Sequence, residues 1–293
     1  GRPPSARCRR MVSPLSKLLE HVLEVFDGTE HACERQAEAA LQRTPNIFAR
    51  YDADLFELDC SGHALRVKQT PSEMRHVGTT GAIVWDSAVI LSKAMEFWVE
   101  RGLVSFKGLR CLELGAGCGL CGIVAAVLGA DVVCTDVWDR LRLLRENLGE
   151  NVRLRVPVEP LEWGNAEQVE LALSVFPRRE GSHGTMCAVD IVLAADCIYS
   201  EDAVEPFLTT CSLLLAGKSD KDYDVEDEKG YVLVCTEVRD SDVLAYFLEQ
   251  ALLDFRVWHV TNDSADKGAG LLQAEYALPR VILYILQPRQ QSD

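Results

Sequence analysis

Several kinds of segment are missing from this 293-residue chain. No apolar run reaches about 18 residues, the length that a membrane-spanning helix needs, so we expect no contact with a membrane. Positive charge is scarce: 30 Lys and Arg stand against 45 Asp and Glu, which gives a formal net charge of −15. Because an acidic surface repels phosphate backbones, the composition disfavours nucleic acid as a partner and favours a basic, lysine-bearing protein segment.

Motifs of several enzyme classes are also absent. The chain has no G-x-S-x-G of a serine hydrolase, and its six histidines show no spacing typical of metal ligands, so no metal site is predicted. Many of the eleven cysteines lie inside apolar runs, where a free thiol packs as a small hydrophobic side chain. With no secretory signal expected, this cysteine usage predicts a cytoplasmic protein, with the nucleus as a second candidate compartment.

Apolar spacing divides the chain into three predicted parts. Residues 11–45 carry apolar residues at helical spacing, so we predict an N-terminal helical extension over residues 1–45. Alternation interrupted at residues 60–62 predicts a β-hairpin within a segment covering residues 46–80. Over residues 81–293, short apolar runs alternate with helical patterns, which predicts a doubly wound α/β domain.

Seven strands are predicted in that third part, after an amphipathic helix that ends near Gly102. The first five should be parallel, and the last two should form a C-terminal antiparallel pair. In chain order the strands are predicted within residues 109–114, 131–136, 153–163, 189–199, 231–238, 255–260 and 280–286.

A glycine-rich loop follows the first of these strands. Gly117, Gly119 and Gly122 spell the G-x-G-x-x-G of a nucleotide-binding loop, and they open a helix whose N-terminus faces the same edge of the sheet. Asp136 ends the second strand about 20 residues later, where a carboxylate can accept hydrogen bonds from ribose hydroxyls. Strand, loop, helix and acid together predict a nucleoside site.

The same loop contains a second pattern, the C-x-x-C of Cys118 and Cys121. No further Cys or His pair lies at zinc spacing, so we predict that both thiols are packing residues rather than metal ligands or a redox pair. The order E-L-G-A-G-C-G, which begins at Glu113, resembles the first motif of class I S-adenosylmethionine methyltransferases. In that family the loop borders the methionine part of the cofactor, and no pyrophosphate is bound.

Three other stretches resemble the lysine methyltransferases of family 16. GAIVWDSAVILSKAMEFW resembles the segment before the core of that family, where Trp85 would border the cofactor. LEWG resembles the motif after the third strand, where Trp163 would lie beside the adenine. AADCIY resembles the Asp-x-x-Tyr motif after the fourth strand, here Asp196 and Tyr199.

The resemblance implies a fold, a cofactor and a reaction. The fold would be α/β, a Rossmann-like class I methyltransferase with a seven-stranded, mostly parallel sheet, preceded by the hairpin and the N-terminal helices. S-adenosyl-L-methionine would be the cofactor, and a lysine side chain of a protein substrate would receive the methyl group. The likeness is greatest to members that modify an AAA ATPase, followed by members that modify a chaperone or an elongation factor. We predict a monomer.

The site residues divide into two groups. Asp196 and Tyr199 are predicted to be catalytic: Tyr199 would border the amine channel, and Asp196 would orient the amine. A strong-base role for Asp196 is not predicted, because a nearby carboxylate opposes loss of the lysine proton. The resemblance implies cofactor binding by a second group: Trp85, Glu113, Gly115, Ala116, Gly117, Asp136, Trp163 and Ala195.

Two other functions remain open from the sequence. A protein of this fold could be a non-catalytic module whose acidic surface and N-terminal helices bind a partner. An NAD-dependent oxidoreductase is the other alternative, although the E-x-G-x-G-x-G order disfavours it.

Overall fold

The computed structural model describes residues 13–25, 47–48, 50, 52–75, 81–153, 155–176, 189–216, 230–261 and 270–289. Its strands are β1 Leu23–Val25, β2 Leu55–Cys60, β3 His63–Lys68, β4 Arg110–Leu114, β5 Asp131–Asp136, β6 Val158–Pro160, β7 Ile191–Ala195, β8 Tyr231–Glu237, β9 Phe255–His259 and β10 Val281–Pro288. Its α-helices are α1 Ser16–Leu19, α2 Asp86–Glu100, α3 Leu120–Val127, α4 Leu141–Asn151, α5 Ala166–Ser174, α6 Glu201–Ala216 and α7 Ser241–Asp254. Short 3-10 helices cover Pro71–Arg75, Trp138–Arg140 and Ala274–Tyr276.

Eight strands form the central sheet in the order β1-β9-β10-β8-β7-β4-β5-β6. The five strands from β8 to β6 are parallel, and β10 runs antiparallel to both β8 and β9. The seven predicted strands and their C-terminal antiparallel pair are therefore confirmed, and β1 adds an eighth strand that the sequence analysis did not predict. Chain order reverses between β4 and β7, and open α/β sheets bind ligands at the carboxyl ends of the strands beside such a reversal.

Helices cover both faces of this sheet. Buried side chains of α2, α3 and α4 pack on one face together with the hairpin, and those of α5, α6 and α7 pack on the other. Because β7 and β8 are buried on both faces, their sequences are almost continuously apolar, whereas the equally buried β4 also contains Arg110 and Glu113. No helix in the described part of the chain is both long and apolar enough to cross a membrane.

The strand β1 corrects one prediction. Helical spacing favours a helix throughout residues 11–45, but after the single turn of α1 the chain forms a strand at Leu23–Val25 and pairs with β9. The outer edge of β9 offers unpaired backbone groups, and Arg256 of β9 donates two hydrogen bonds to Glu24, at 2.8 and 2.7 Å. These tertiary contacts outweigh local helical spacing. Most of the remaining predicted extension lies outside the described residues.

The predicted hairpin is confirmed as β2 and β3, which pair from Leu55 and Lys68 to Cys60 and His63. Two asparagines of α4, one helical turn apart, bind the free edge of β3. Asn147 accepts from the Lys68 N–H at 2.8 Å and donates to the Lys68 carbonyl at 3.0 Å.

Asn151 makes the same pair of hydrogen bonds with Arg66, at 2.7 and 2.8 Å. Helix α4 therefore provides hydrogen-bond partners for the backbone groups at this edge of β3, as a neighbouring strand would. The fully buried Asn147 also donates to the Cys118 carbonyl in the glycine loop at 2.9 Å, so one side chain connects the hairpin to that loop.

Candidate functional site

A cavity of about 600 Å³ lies at the carboxyl ends of β4, β5 and β7. All ten residues that the sequence analysis predicts for the site line it: Trp85, Glu113, Gly115, Ala116, Gly117, Asp136, Trp163, Ala195, Asp196 and Tyr199. The fold therefore brings together residues that are spread over more than a third of the chain.

The glycine loop forms one wall of the cavity. Gly117 has a φ of 53°, in the left-handed region that favours glycine. A Cβ added there would lie 3.2 Å from the Cα of Gly81, so the loop backbone packs closely against the segment before α2. This close approach explains a glycine at position 117 without reference to any ligand.

Asp136 fixes this loop from the end of β5. One oxygen of its carboxylate accepts from the Gly117 N–H at 2.6 Å, and the other accepts from the Val137 N–H at 2.7 Å. Burial raises the pKa of Asp136, against the lowering effect of these two hydrogen bonds. Each carboxylate oxygen has a further lone pair, so a ribose hydroxyl can also donate to Asp136.

Glu113 contacts the other side of the loop. Its carboxylate accepts from the Gly122 N–H at 2.9 Å, in the first turn of α3, and from the Cys134 thiol at 3.5 Å. Burial raises the pKa of Glu113 to about 8. These contacts hold the start of α3 against β4 and β5. Cofactor binding by Glu113 stays a prediction.

The two loop cysteines lie in the packed interior. Both are buried, with the Cys118 sulfur 3.7 Å from the Gly81 carbonyl and the Cys121 sulfur 3.5 Å from the Ala88 carbonyl. Burial raises the pKa of Cys118 to about 12, which disfavours the thiolate that a metal or a redox reaction requires. Among the described residues, no group of three or more His, Cys, Asp or Glu could hold a metal ion.

Trp163 provides an aromatic wall near the glycine loop. Its ring lies 5.3 Å from that of Phe207 in an edge-on arrangement and 6.2 Å from that of Tyr199. A Cβ added at Gly115 would come within 3.2 Å of the Trp163 ring, so the loop and the indole are in close contact. A flat, half-buried indole held in this way can pack against a purine.

Asp196 follows β7 directly and has an unusual backbone conformation. Its φ is 61°, and its N–H donates to the Cys235 carbonyl of β8 at 2.8 Å. Its side chain is only 7% exposed, and Arg239 binds both carboxylate oxygens, at 3.0 and 2.8 Å. Tyr199, three residues later, is 54% exposed at the same cavity.

Arg239 is one of several charged residues of the cavity that the sequence analysis missed, with Asp139, Arg140 and Glu162. It lines the cavity, and its guanidinium lies 4.8 Å from the centre of the Trp85 ring. It follows β8 by two residues, and β8 is the parallel neighbour of β7. That position, just beyond the carboxyl end of a strand, is the only sequence signal that could have indicated it.

A chain of alternating charges continues from Arg239 away from the cavity. Arg239 donates to Glu237 at 2.7 Å, and the other Glu237 oxygen lies 2.9 Å from Nε of Arg280. Arg280 in turn pairs with the buried Asp86 at the start of α2. Asp86 also accepts from the backbone N–H groups of residues 47 and 48, at 2.8 and 2.9 Å.

The sequence matches a family model described as lysine methyltransferase over residues 62–250. The chain belongs to the lysine methyltransferase family. S-adenosylmethionine is accordingly the cofactor, and the protein is an enzyme of the methyltransferase class.

Individual relatives have similar descriptions. The protein N-lysine methyltransferase METTL21A of Danio rerio is 36% identical over 165 residues, which are 55% of this chain and 66% of that protein. The protein of the same name in Mus musculus is 33% identical over 174 residues, 58% of this chain and 70% of that one. The chain thus matches about two thirds of the length of these relatives. A solved SAM-dependent methyltransferase from Agrobacterium tumefaciens is 14% identical with a TM-score of 0.43, over 85% of this chain and 72% of that one.

The residues around the cavity fit this cofactor. The Asp136 carboxylate can accept hydrogen bonds from ribose hydroxyls, and the Trp163 ring can pack against adenine. Because Gly115 and Gly117 have no side chains, a ligand can approach the loop backbone closely. A cavity volume of about 600 Å³ lies within the usual range for sites of small molecules and cofactors.

Proposed function

We propose that this protein transfers methyl groups from S-adenosylmethionine to a lysine side chain of a protein substrate. The observation that carries the proposal is the pair Asp196 and Tyr199, a carboxylate and a half-exposed phenol at the cavity that suits the cofactor. A carboxylate and an aromatic ring that line the same cavity suit the approach of a cationic side chain.

Different residues would hold the cofactor and the amine. Asp136, Trp163 and the backbone of the glycine loop would hold the nucleoside. When bound, S-adenosylmethionine supplies a methyl carbon on a sulfonium, so that a new N–C bond forms as the S–C bond breaks and its electron pair returns to sulfur. Asp196 would orient the amine, and Tyr199 would border its path.

Alignment and water exclusion account for the remaining catalysis. The lysine ammonium must lose its proton before the nitrogen lone pair can attack, and water at the cavity mouth would accept that proton. Enclosure by Trp85 and Tyr199 would hold the amine near the methyl carbon and keep bulk water away from the reacting atoms. The proposed chemistry uses neither an enzyme nucleophile nor a metal.

The proposed substrate is a basic segment of an AAA ATPase or a chaperone. A net charge of −15 supports association with a segment that carries positive charge around the target lysine. A monomeric enzyme in the cytoplasm, with the nucleus as a second location, completes the proposal.

The test is to incubate the protein with labelled S-adenosylmethionine and a purified AAA ATPase, a purified chaperone or cell lysate. Mass spectrometry of the labelled products should find methyl-lysine. Label found only on nucleic acid, on small molecules or on arginine would contradict the proposal. Binding of S-adenosylhomocysteine without turnover on any substrate would favour the non-catalytic module instead.

A further inference from the structure

We propose that Arg239 is a positioning residue for methyl transfer, because its guanidinium fixes the Asp196 carboxylate and offsets its charge, so that the carboxylate does not hold an incoming lysine amine in the protonated form. This inference rests on the proposed lysine methylation and assigns a residue that the Asp-x-x-Tyr motif does not contain.

The geometry holds the Arg239 guanidinium in one place. Two nitrogens bind the two oxygens of Asp196, at 3.0 and 2.8 Å, and one of them also donates to Glu237 at 2.7 Å. The face of the group lies 4.8 Å from the centre of the Trp85 ring. A planar fork held by a carboxylate and an indole has little freedom, so Asp196 is held firmly as well.

The pairing of Arg239 with Asp196 affects how easily an incoming lysine amine loses its proton. A lysine amine has an ordinary pKa of about 10.4, so it arrives protonated, and an isolated carboxylate nearby would raise that pKa further. The guanidinium makes the pair with Asp196 formally neutral. Asp196 can then accept a hydrogen bond from the amine without strongly opposing the loss of its proton to water.

Other charged and titratable groups surround this end of the cavity on every element packed there. Among the described residues they are Asp196, Cys197 and Tyr199 after β7, Glu237 and Arg239 at the end of β8, Arg280 before β10, Asp86 at the start of α2, and Glu113, Cys118, Asp136, Asp139, Arg140 and Glu162 on the cofactor side. Without Arg239, Asp196 would lose its two hydrogen bonds from a guanidinium, and Glu237 would keep its contact with Arg280. The site would therefore become more negative.

The experiment is the pH dependence of kcat with a saturating lysine substrate, which reports ionisation in the bound complex. In Arg239→Gln the rising limb of the pH profile of kcat should shift to higher pH by about one to two units. As a result, kcat at pH 7 should fall about tenfold or more. Arg239→Lys keeps a positive charge but loses the fork, so its limb should move less. Affinity for S-adenosylhomocysteine should stay within a few-fold in both variants.

The chain offers a matched control in Arg256. This arginine also binds a carboxylate with two nitrogens, that of Glu24 at 2.8 and 2.7 Å, and lies 4.9 Å from the centre of the Trp258 ring. Its side chain is 42% exposed, compared with 41% for Arg239, and it is not among the residues that line the cavity. Arg256→Gln should lower the melting temperature by a similar amount and leave the pH profile unchanged.

A second measurement does not depend on activity. Binding of n-butylammonium, a lysine side-chain analogue, to the protein saturated with S-adenosylhomocysteine should be several-fold tighter in Arg239→Gln than in the wild type, because Asp196 then lacks a cation. Unchanged or weaker binding would overturn the proposal, as would an unshifted limb or a faster reaction in Arg239→Gln. Absence of methyl-lysine from the wild-type reaction would instead count against the proposed function, and the butylammonium comparison would still decide the role of Arg239.

Discussion

Asp196 combines a functional carboxylate with a backbone conformation that favours glycine. At a φ of 61°, Asp196→Ala keeps the strained backbone, whereas Asp196→Gly relaxes it. Both variants lose the carboxylate, so both should lower methyl transfer by about a hundredfold and keep S-adenosylhomocysteine binding within a few-fold. Chemical denaturation should find the Ala variant less stable than the Gly variant by about 1 kcal/mol. Full activity in either variant would contradict the role proposed for Asp196.

Gly122 is required by space rather than by its backbone conformation. A Cβ at this position would clash with the Cys134 sulfur and lie 2.7 Å from a carboxylate oxygen of Glu113. Gly122→Ala should therefore lower the free energy of unfolding by about 1–3 kcal/mol. The control is Gly149→Ala on the exposed side of α4, where nothing lies within 4 Å of the added Cβ, and a gain of about 0.5–1 kcal/mol is expected. Equal effects of the two changes in urea denaturation would refute the steric argument.

Glu113 should make stability depend on pH. Its pKa is about 8 in the folded protein because of burial, compared with an ordinary value of 4.5, so the folded state binds a proton that the unfolded state has lost between these values. The stabilising contribution is complete below pH 4.5 and is lost as the pH rises through about 8. Glu113→Gln keeps an acceptor for the Gly122 N–H and removes the titration.

The difference in unfolding free energy between the Gln variant and the wild type should therefore grow in favour of the variant from pH 5 to pH 8, with a limiting slope of about 1.4 kcal/mol per pH unit. Urea denaturation at several pH values measures it. A constant difference over this range would show that the Glu113 carboxyl does not titrate there.

Most of the individual site residues could be predicted from the sequence, some because they stand where a strand ends and others, such as Trp85 and Trp163, through the resemblance to family 16. Asp136 and Asp196 follow apolar runs, and Gly117 opens a helix, so local pattern is enough to find them. Arg239 differs, because its significance depends on the pairing of Ala195 with Cys235 in adjacent parallel strands. That pairing is a property of the sheet order, and the local sequence around Arg239 does not contain it.

At the scale of elements, the docking of the hairpin on α4 predicts that substitutions of its two asparagines lower the stability by different amounts. Each asparagine makes three hydrogen bonds to the backbone, but Asn147 is fully buried, whereas Asn151 is half-buried and its partner Arg66 is exposed. Asn147→Ala leaves buried backbone groups of Lys68 and Cys118 without partners, so it should cost about 3 kcal/mol of unfolding free energy, against about 1 kcal/mol for Asn151→Ala. Thermal and urea unfolding of both variants will test the order. A larger loss in Asn151→Ala would contradict it.

The predictability of the elements depends on whether their patterns are local. The strands β4, β5, β7 and β8 contain short, mainly apolar runs between helical patterns, and the hairpin has clear alternation on both sides of its turn. By contrast, β1 has only three residues and exists because β9 has a free edge to pair with. The sequence of β1 is compatible with a helix, and only the assembled sheet decides otherwise.

At the scale of the whole molecule, thiol reactivity should report global unfolding. Eight of the eleven cysteines lie in the described residues, and all eight are free and buried. Burial raises the pKa of several of them, so both access and thiolate formation are suppressed. In native buffer, at most three cysteines should react with Ellman's reagent within minutes, and all eleven should react in denaturant. Rapid reaction of four or more in native buffer would contradict the buried core.

Asn147 connects two parts of the protein that are distant in the sequence, the hairpin and the glycine loop. Its amide donates to a carbonyl of the hairpin and to a carbonyl of the glycine loop, so undocking of either partner weakens the hold on the other. If a ligand that orders the loop favours the docked hairpin, docking of the hairpin increases the affinity for that ligand by the same factor. The hairpin supplies none of the described residues that line the cavity, and we expect substitutions that undock it to weaken cofactor binding through Asn147.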